Sequence, residues 1–237
     1  MNTELVYMEQ GELTEYPTAV QELQGRTTLI LPATIFYPQG GGQPYDQGVI
    51  TGAKGTFRVD EVRNIEGVVH HIGLLEGEMT PGEEVVCQIN AERRALNSRL
   101  HTAGHVLDMA VHKIGLGWQP GKGYSFPDGP YVEYTAGFEG ADLQVVRAQI
   151  DQMCADLVEQ DLPVHTQFME RAEMEKVLVH VPDHLPENRP ARVVFTGDYG
   201  IPCGGTHVKR LGEIGTITVR KMKMNGEVLR VSYLVGE

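Results

Sequence analysis

Three cysteines in 237 residues, Cys87, Cys154 and Cys203, are too few and odd in number for a disulfide framework. The chain is read as folding in a reducing compartment, with at least one thiol left for other work. No apolar run approaches the roughly 20 residues needed to span a bilayer, and Met1-Asn2-Thr3-Glu4 is acidic where a secretory signal is basic and then apolar. A cytosolic protein with no membrane partner is expected. Bases are scarce as well: 20 Lys and Arg stand against 32 Asp and Glu, a net charge of −12. As a sum this argues against a nucleic-acid partner, but the distribution says more. Residues 1–90 hold thirteen acids and four bases, whereas residues 201–237 hold six bases (Lys209, Arg210, Arg220, Lys221, Lys223 and Arg230) and three acids. A local basic face on an acidic chain is compatible with a phosphate backbone, although such a short run also suits a solvated strand face.

A hydrophobic content of 41% and this length suffice for one large domain or two modest ones. Residues 1 to about 90 carry short β-prone runs, Thr27–Leu31, Gly48–Ile50, Thr56–Val59, Gly67–Ile72 and Val85–Ile89, closely punctuated by Gly and Pro. That rhythm predicts a small antiparallel barrel. His70 and His71 are adjacent, so on a strand they point to opposite faces and make a poor joint site. Between these runs lies Thr34-Ile35-Phe36-Tyr37-Pro38-Gln39-Gly40-Gly41-Gly42-Gln43-Pro44. Successive glycines either let the backbone approach a ligand and present Gln43 to it, or simply form a hairpin turn.

Asn90 is a plausible N-cap for a helix running to Ile114 and stopping at Gly115. Leu96, Leu100, Ala103, Leu107, Val111 and Ile114 form its expected buried stripe, with His101 and His105 at the stripe's edge and His112 on the surface. Residues 115–129 read as a Gly- and Pro-rich loop and Pro130–Thr135 as a strand. A second helix falls at 141–160, a strand at Pro163–Met169 and a short acidic helix at Glu170–Lys176. The Pro-rich span 181–190 reads as a loop and Ala191–Phe195 as a strand. The C-terminus reads as a hairpin turned by Asn225-Gly226. The expected class is α/β of the α+β type, a barrel-like domain at 1–90 followed by an α/β domain at 91–237.

Two histidines four apart on a helix project from one face, as a two-pronged metal grip requires. Further ligands are offered a hundred residues on, in Cys203-Gly204-Gly205-Thr206-His207. Cys and His in a two-plus-two arrangement suit tetrahedral zinc, one ion per chain. A metalloprotease of the His-Glu-x-x-His type needs a glutamate between its histidines, and that place is held by Thr102.

These three blocks, His101-x-x-x-His105, Cys203 to His207, and Phe36-Tyr37-Pro38 with Gly40 to Pro44, resemble those of the free-standing alanyl-tRNA editing proteins, related to the editing domain of alanyl-tRNA synthetase. The glycine-rich N-terminal part is similar to the longer subtype. The resemblance implies an editing domain of the kind shared with threonyl- and alanyl-tRNA synthetases. It further implies zinc-dependent, ATP-independent hydrolysis of tRNA for alanine mischarged with serine or glycine, acting in trans on the acceptor end. By the same resemblance Thr34 reads the serine hydroxyl, and Thr34, Gly41, Gly42 and Gln43 form the catalytic set. Lys122, Lys209, Arg210, Lys221 and Lys223 are the candidate phosphate contacts. A glutamine that precedes Lys-Gly in the synthetase is replaced here by Gly121, with Gln119 two residues earlier. Asp198 stands near the Cys203 turn, either supporting it or simply turning the chain. Two competing readings are a tRNA-binding module with a structural zinc and a threonyl-type editing domain, in which the glycine-rich block has no place.

Overall fold

The computed structural model describes residues 2–183, 185, 187 and 189–236. Positions 184, 186 and 188 of the expected loop 181–190 therefore lie outside the described residues. The chain is a mixed α+β protein that divides into two compact units, residues 1–96 and 97–237.

In the first unit nine strands follow in order: β1 (Glu4–Leu5), β2 (Glu15–Ala19), β3 (Glu22–Gln24), β4 (Thr28–Ile30), β5 (Ala33–Thr34), β6 (Gly48–Thr51), β7 (Gly55–Ile65), β8 (Val68–Gly77) and β9 (Glu84–Ile89). Short β1 and β5 pair in parallel, and the rest form an antiparallel sheet of order β2-β9-β6-β7-β8-β4-β3. The two ends of that order, β2 and β3, are separated in sequence only by Val20 and Gln21. Val20 N–H donates to Glu83 O and Gln21 N–H to Ile30 O, so one bent segment joins both edges and the sheet curls into the expected barrel. Pro17 within β2 hid this segment from sequence reading, and such a proline is tolerated because β2 hydrogen-bonds on one side only. Strand alternation places the core: in β9 Val85, Cys87 and Ile89 are buried while their neighbours are exposed. In β7 the register shifts between Val59 and Glu61, and this bulge lets both Val59 and Val62 face inward although they are three residues apart.

Helix α1 (Ala91–Ile114) matches its expected bounds, and its cap is present: Asn90 Oδ1 accepts from Arg93 N–H at 2.9 Å. Its buried face is wider than the expected stripe. Leu100, Ala103, Leu107 and Val111 are buried as anticipated, Val106, Met109 and Ala110 are buried too, and Leu96 is exposed.

The second unit continues with β10 (Pro120–Tyr124), β11 (Tyr131–Tyr134), α2 (Leu143–Glu159), β12 (Val164–Met169), α3 (Arg171–Val177), β13 (Ala191–Thr196), β14 (Tyr199–Pro202), β15 (Thr216–Asn225) and β16 (Val228–Gly236). An antiparallel sheet β10-β11-β16-β15 shares one apolar core with α1 and α2, and β12-β13-β14 form a second, three-stranded sheet. Gly104 allows the close approach of α1 to β16: a Cβ there would stand 3.1 Å from the Tyr233 hydroxyl, which donates to Leu100 O at 2.9 Å. The hairpin β15–β16 turns one residue later than predicted. Asn225 still pairs with Val228, so the two-residue loop is Gly226-Glu227, with Gly226 at φ +66. Residues 115–129 are not all loop, because β10 pairs with β11 through a register shift that alternation could not reveal.

Candidate metal centre and glycine-rich loop

One ligand atom each from His101, His105, Cys203 and His207 lie within 4.8 Å of one another. Cys203 Sγ stands 3.4 Å from both His101 Nε2 and His207 Nε2. Zinc bonds of about 2.3 Å to sulfur and 2.0–2.1 Å to nitrogen at a tetrahedral angle require about 3.6 Å between sulfur and nitrogen. Cys203 Sγ is therefore already spaced from His101 and His207 for such an ion. His101 is buried, while His105, Cys203 and His207 keep partial solvent access, so the centre opens on one side.

The charge state of the cluster also suits a cation. Burial pushes the His101 imidazole down to about 4, and burial together with the neighbouring imidazoles holds His105 and His207 well below the ordinary histidine range. All three rings are neutral at pH 7, the form that ligates. Burial raises the Cys203 thiol, opposed by the Gly205 amide, which donates to Sγ at 3.3 Å, and by the Arg192 guanidinium. Arg192, buried on β13, also pins the turn, since its Nη1 donates to Cys203 O at 2.9 Å and Gly205 O at 2.8 Å. Cys87 and Cys154 are buried in the two cores with their thiols pushed up to about 12, so neither is a reactive thiolate.

Thr102, on α1 between the two histidines, is a participant that sequence reading passed over. Its hydroxyl donates to Ser98 O at 2.7 Å and thus accepts at its lone pairs, from His207 Nδ1–H at 3.1 Å and Val208 N–H at 3.2 Å. The proton of His207 is thereby held on Nδ1, leaving Nε2 bare toward Cys203. Ser98 and Thr206 hydroxyls bond at 2.8 Å and tie the other end of the turn to the helix.

In the first unit the glycines form a tight turn. Gly40 and Gln43 bridge each other through backbone bonds, and Gly41 and Gly42 both have positive φ, +52 and +79, which other residues rarely adopt. The Gln43 side chain is fully buried. Asp46 anchors the loop: its carboxylate accepts from Tyr37 N–H at 2.7 Å and forms a buried ion pair with Arg94, which also donates to Gly11 O and Ile35 O. Sequence reading missed this pair because its members lie 48 residues apart. Thr34 is fully buried. His71 Nδ1–H donates to Leu29 O at 3.0 Å, so His71 Nε2 is the acceptor for the Thr34 hydroxyl at 2.8 Å, and Thr34 Oγ1 in turn accepts from Phe36 N–H. Burial lowers His71 to about 4, which keeps this arrangement neutral.

The remaining candidates are dispersed. Lys122 belongs to strand β10, not to a loop, and is exposed; Gln119 donates weakly to Gly117 O at 3.4 Å. Lys221 and Lys223 are exposed on β15 opposite Ser232 and Arg230. Lys209 is exposed, while the Arg210 guanidinium is held by Asp161 at 2.6 Å. Asp198 is an exposed turn residue. No helix among the described residues is long and apolar enough to cross a membrane.

A turn carrying Cys and His is thus set against a helix with two further histidines, a cluster that could hold a metal ion. Residues 191–231, which include Cys203 and His207, match the family described as threonyl and alanyl tRNA synthetase second additional domain, and residues 3–93 match tRNA synthetases class II (A). The chain belongs to the family of alanyl-tRNA editing proteins and the corresponding part of alanyl-tRNA synthetases. It is 32% identical to the alanyl-tRNA editing protein AlaX-L of Pyrococcus horikoshii over 92% of this chain and 53% of that protein. It is 32% identical to the alanine–tRNA ligase of Methanopyrus kandleri over 99% of this chain and 26% of the ligase, and 33% identical to that of Pyrobaculum calidifontis over 88% and 24%. The chain thus spans about a quarter of the ligases and half of the editing protein.

Proposed function

We propose that the protein is a deacylase that hydrolyses the ester of mischarged tRNA for alanine, chiefly with serine and also with glycine, using one zinc ion held by His101, His105, Cys203 and His207. The observation that carries this reading is the convergence of those four donors at zinc spacing in a chain of this family. A bound zinc would serve to orient the aminoacyl end rather than to generate hydroxide, because a site closed by four protein ligands takes a further ligand only if its coordination expands or one ligand departs. An aminoacyl ester is already activated, so positioning and oxyanion stabilisation suffice without a covalent nucleophile.

Thr34 is the proposed reader of the serine hydroxyl. Its own proton is committed to His71, so the serine hydroxyl would have to donate to the remaining lone pair of Thr34 Oγ1. Gly41, Gly42 and Gln43 are assigned to shaping the loop that supports this position. Lys122, Lys221 and Lys223 are the proposed phosphate contacts, on the four-stranded sheet where Arg230 lies 3.9 Å over the Tyr131 ring.

Hydrolysis of seryl-, glycyl- and alanyl-tRNA for alanine, with zinc content measured in parallel, tests the proposal. Wild type should cleave the seryl ester and spare the alanyl ester, and Cys203→Ala should lose both zinc and activity. Full activity in metal-free protein would overturn the zinc assignment. Retained tRNA binding with no turnover would instead favour a binding module with structural zinc.

A further inference from the structure

The outward face of the sheet β10-β11-β16-β15 carries a series of stacked rings that the metal centre does not use. Strand alternation turns Val132 and Tyr134 of β11, and Val231 and Tyr233 of β16, into the core shared with α1 and α2. Tyr131, Glu133, Arg230 and Ser232 therefore face the other way. Tyr124 of β10 and Tyr131 of β11 are directly opposed, their rings 5.1 Å apart and 16° from parallel. Phe126 stacks on Tyr124 at 4.4 Å and 10°, and the Arg230 guanidinium lies 3.9 Å over the Tyr131 ring. Four flat groups thus run in contact: Phe126, Tyr124, Tyr131 and Arg230.

Sheet stability accounts for part of this series. A cross-strand tyrosine pair and the Arg230–Glu133 ion pair at 2.7 Å hold the strands together. Phe126 is not explained that way. It lies beyond the last paired residue of β10, keeps partial exposure, and no other ring or cation stacks on it among the described residues. Nearby, Lys122, Lys221 and Lys223 are exposed, and with Arg230 they accompany two acids, Glu133 and Asp128. Each acid already accepts a hydrogen bond, from Arg230 and from the Tyr124 hydroxyl at 3.3 Å. Lys221 pairs with Ser232, which pairs with Tyr131, so lysine and ring stand in one row of the sheet. Accessible rings beside cations, on a chain of net charge −12, are the composition that binds unpaired nucleotides, whose bases offer a π face and whose phosphates offer charge.

The series also ends next to the helix of the metal centre. β10 is an outer strand of its sheet. Ser125, between Tyr124 and Phe126, is buried, and its Oγ lies 3.5 Å from the Tyr233 hydroxyl, which donates to Leu100 O at 2.9 Å, beside His101. A nucleotide chain passing round this edge would lead from Phe126 on one face toward α1 on the other. We propose that Phe126, backed by Tyr124 and Tyr131, is a stacking platform for an unpaired base of the tRNA acceptor end upstream of the esterified nucleotide, an inference that rests on the deacylase reading above. Lys122, Lys221 and Lys223 flank it as phosphate contacts.

The test measures dissociation constants of the zinc-loaded full chain for uncharged tRNA for alanine, intact or lacking its unpaired 3′ nucleotides. Phe126→Ala should weaken binding of intact tRNA by roughly 5- to 150-fold and leave binding of the truncated tRNA as in wild type. The log–log salt slope should not change, since stacking releases no counterions. Phe126→Leu keeps apolar bulk without a ring and should show the same loss, whereas Phe126→Trp should bind like wild type. Wild-type affinity for intact tRNA in both Phe126→Ala and Phe126→Leu, or an equal loss for both tRNAs, would overturn the platform. So would a change of oligomeric state with tRNA affinity unmoved, which would assign the face to a second copy of the chain. In those cases hydrolysis of the seryl ester by wild type would leave the deacylase reading intact. A wild-type protein that binds intact tRNA through Phe126 yet cleaves no ester would sink that reading alone.

Discussion

Replacing Thr102 by valine removes one oxygen and nearly preserves shape, so its effect isolates what that oxygen holds. Three bonds converge on it: one given to Ser98 O and two received, from His207 Nδ1–H and Val208 N–H. Thr102 is almost fully buried at 1% exposure, so water cannot take its place. In the variant Nδ1–H of His207 faces a methyl group, at a cost of about 1–3 kcal/mol for an unsatisfied buried donor. The ring can escape by moving its proton to Nε2, the atom that faces Cys203 Sγ, and that tautomer does not ligate. Zinc binding would then have to reverse the transfer. Loss of such an orienting partner lowers metal affinity by roughly 10- to 100-fold, equivalent to about 1.4–2.7 kcal/mol. Competition with a chromogenic chelator measures this directly, with Thr102→Ser as the control that restores the hydroxyl. Equal zinc affinity in Thr102→Val and wild type would refute the tautomer argument, whatever happened to stability.

Three further outcomes follow from the geometry. Thr34→Val should reduce hydrolysis of the seryl ester while leaving the KM for tRNA unchanged; an unaltered rate would remove Thr34 from recognition. His71 is buried with its imidazole near 4, against about 6.5 unfolded, so its neutral form stabilises the fold above pH 6.5. That contribution, up to about 3 kcal/mol at 1.36 kcal/mol per unit, should be lost as pH falls from 6.5 toward 4. Urea denaturation at pH 7 and pH 5 measures it, and His71→Gln should flatten the dependence; equal slopes would refute the assignment. Lys221→Ala with Lys223→Ala should weaken tRNA binding at low salt and reduce the log–log salt slope by roughly 1–2, and an unchanged slope would exclude both as phosphate contacts.

Sequence patterns that depend on local periodicity were legible. The helix from Asn90 to Gly115 could be bounded because a cap, a 3.6-residue repeat and a C-terminal glycine agree, and β9 because strict alternation leaves one register. The closing segment β2–β3 was not, since Pro17 reads as a breaker unless the partner on its one bonded side is known. Strand β10 was hidden because glycines in Pro120–Tyr124 carry no side-chain pattern to read. The hairpin turn slipped by one residue because Asn-Gly fixes that a turn occurs, but strand pairing decides which two residues span it.

For the site the division follows charge compensation. A motif announces donors that a metal would share, so His101, His105, Cys203 and His207 could be named from type and spacing. It does not announce the groups that make those donors usable. Thr102 looks like a replaced glutamate, Arg192 like an ordinary strand residue, and Asp46 and Arg94 like surface charges. Each is buried against a partner at least 11 residues away in sequence, and burial is what turns a neutral-looking threonine or a scattered charge into a determinant of protonation. Asp108 is the same case: a hydrophilic residue on a helix reads as solvent-facing, yet its carboxylate accepts from the Tyr134 hydroxyl of β11, and burial raises the carboxyl against that hydrogen bond.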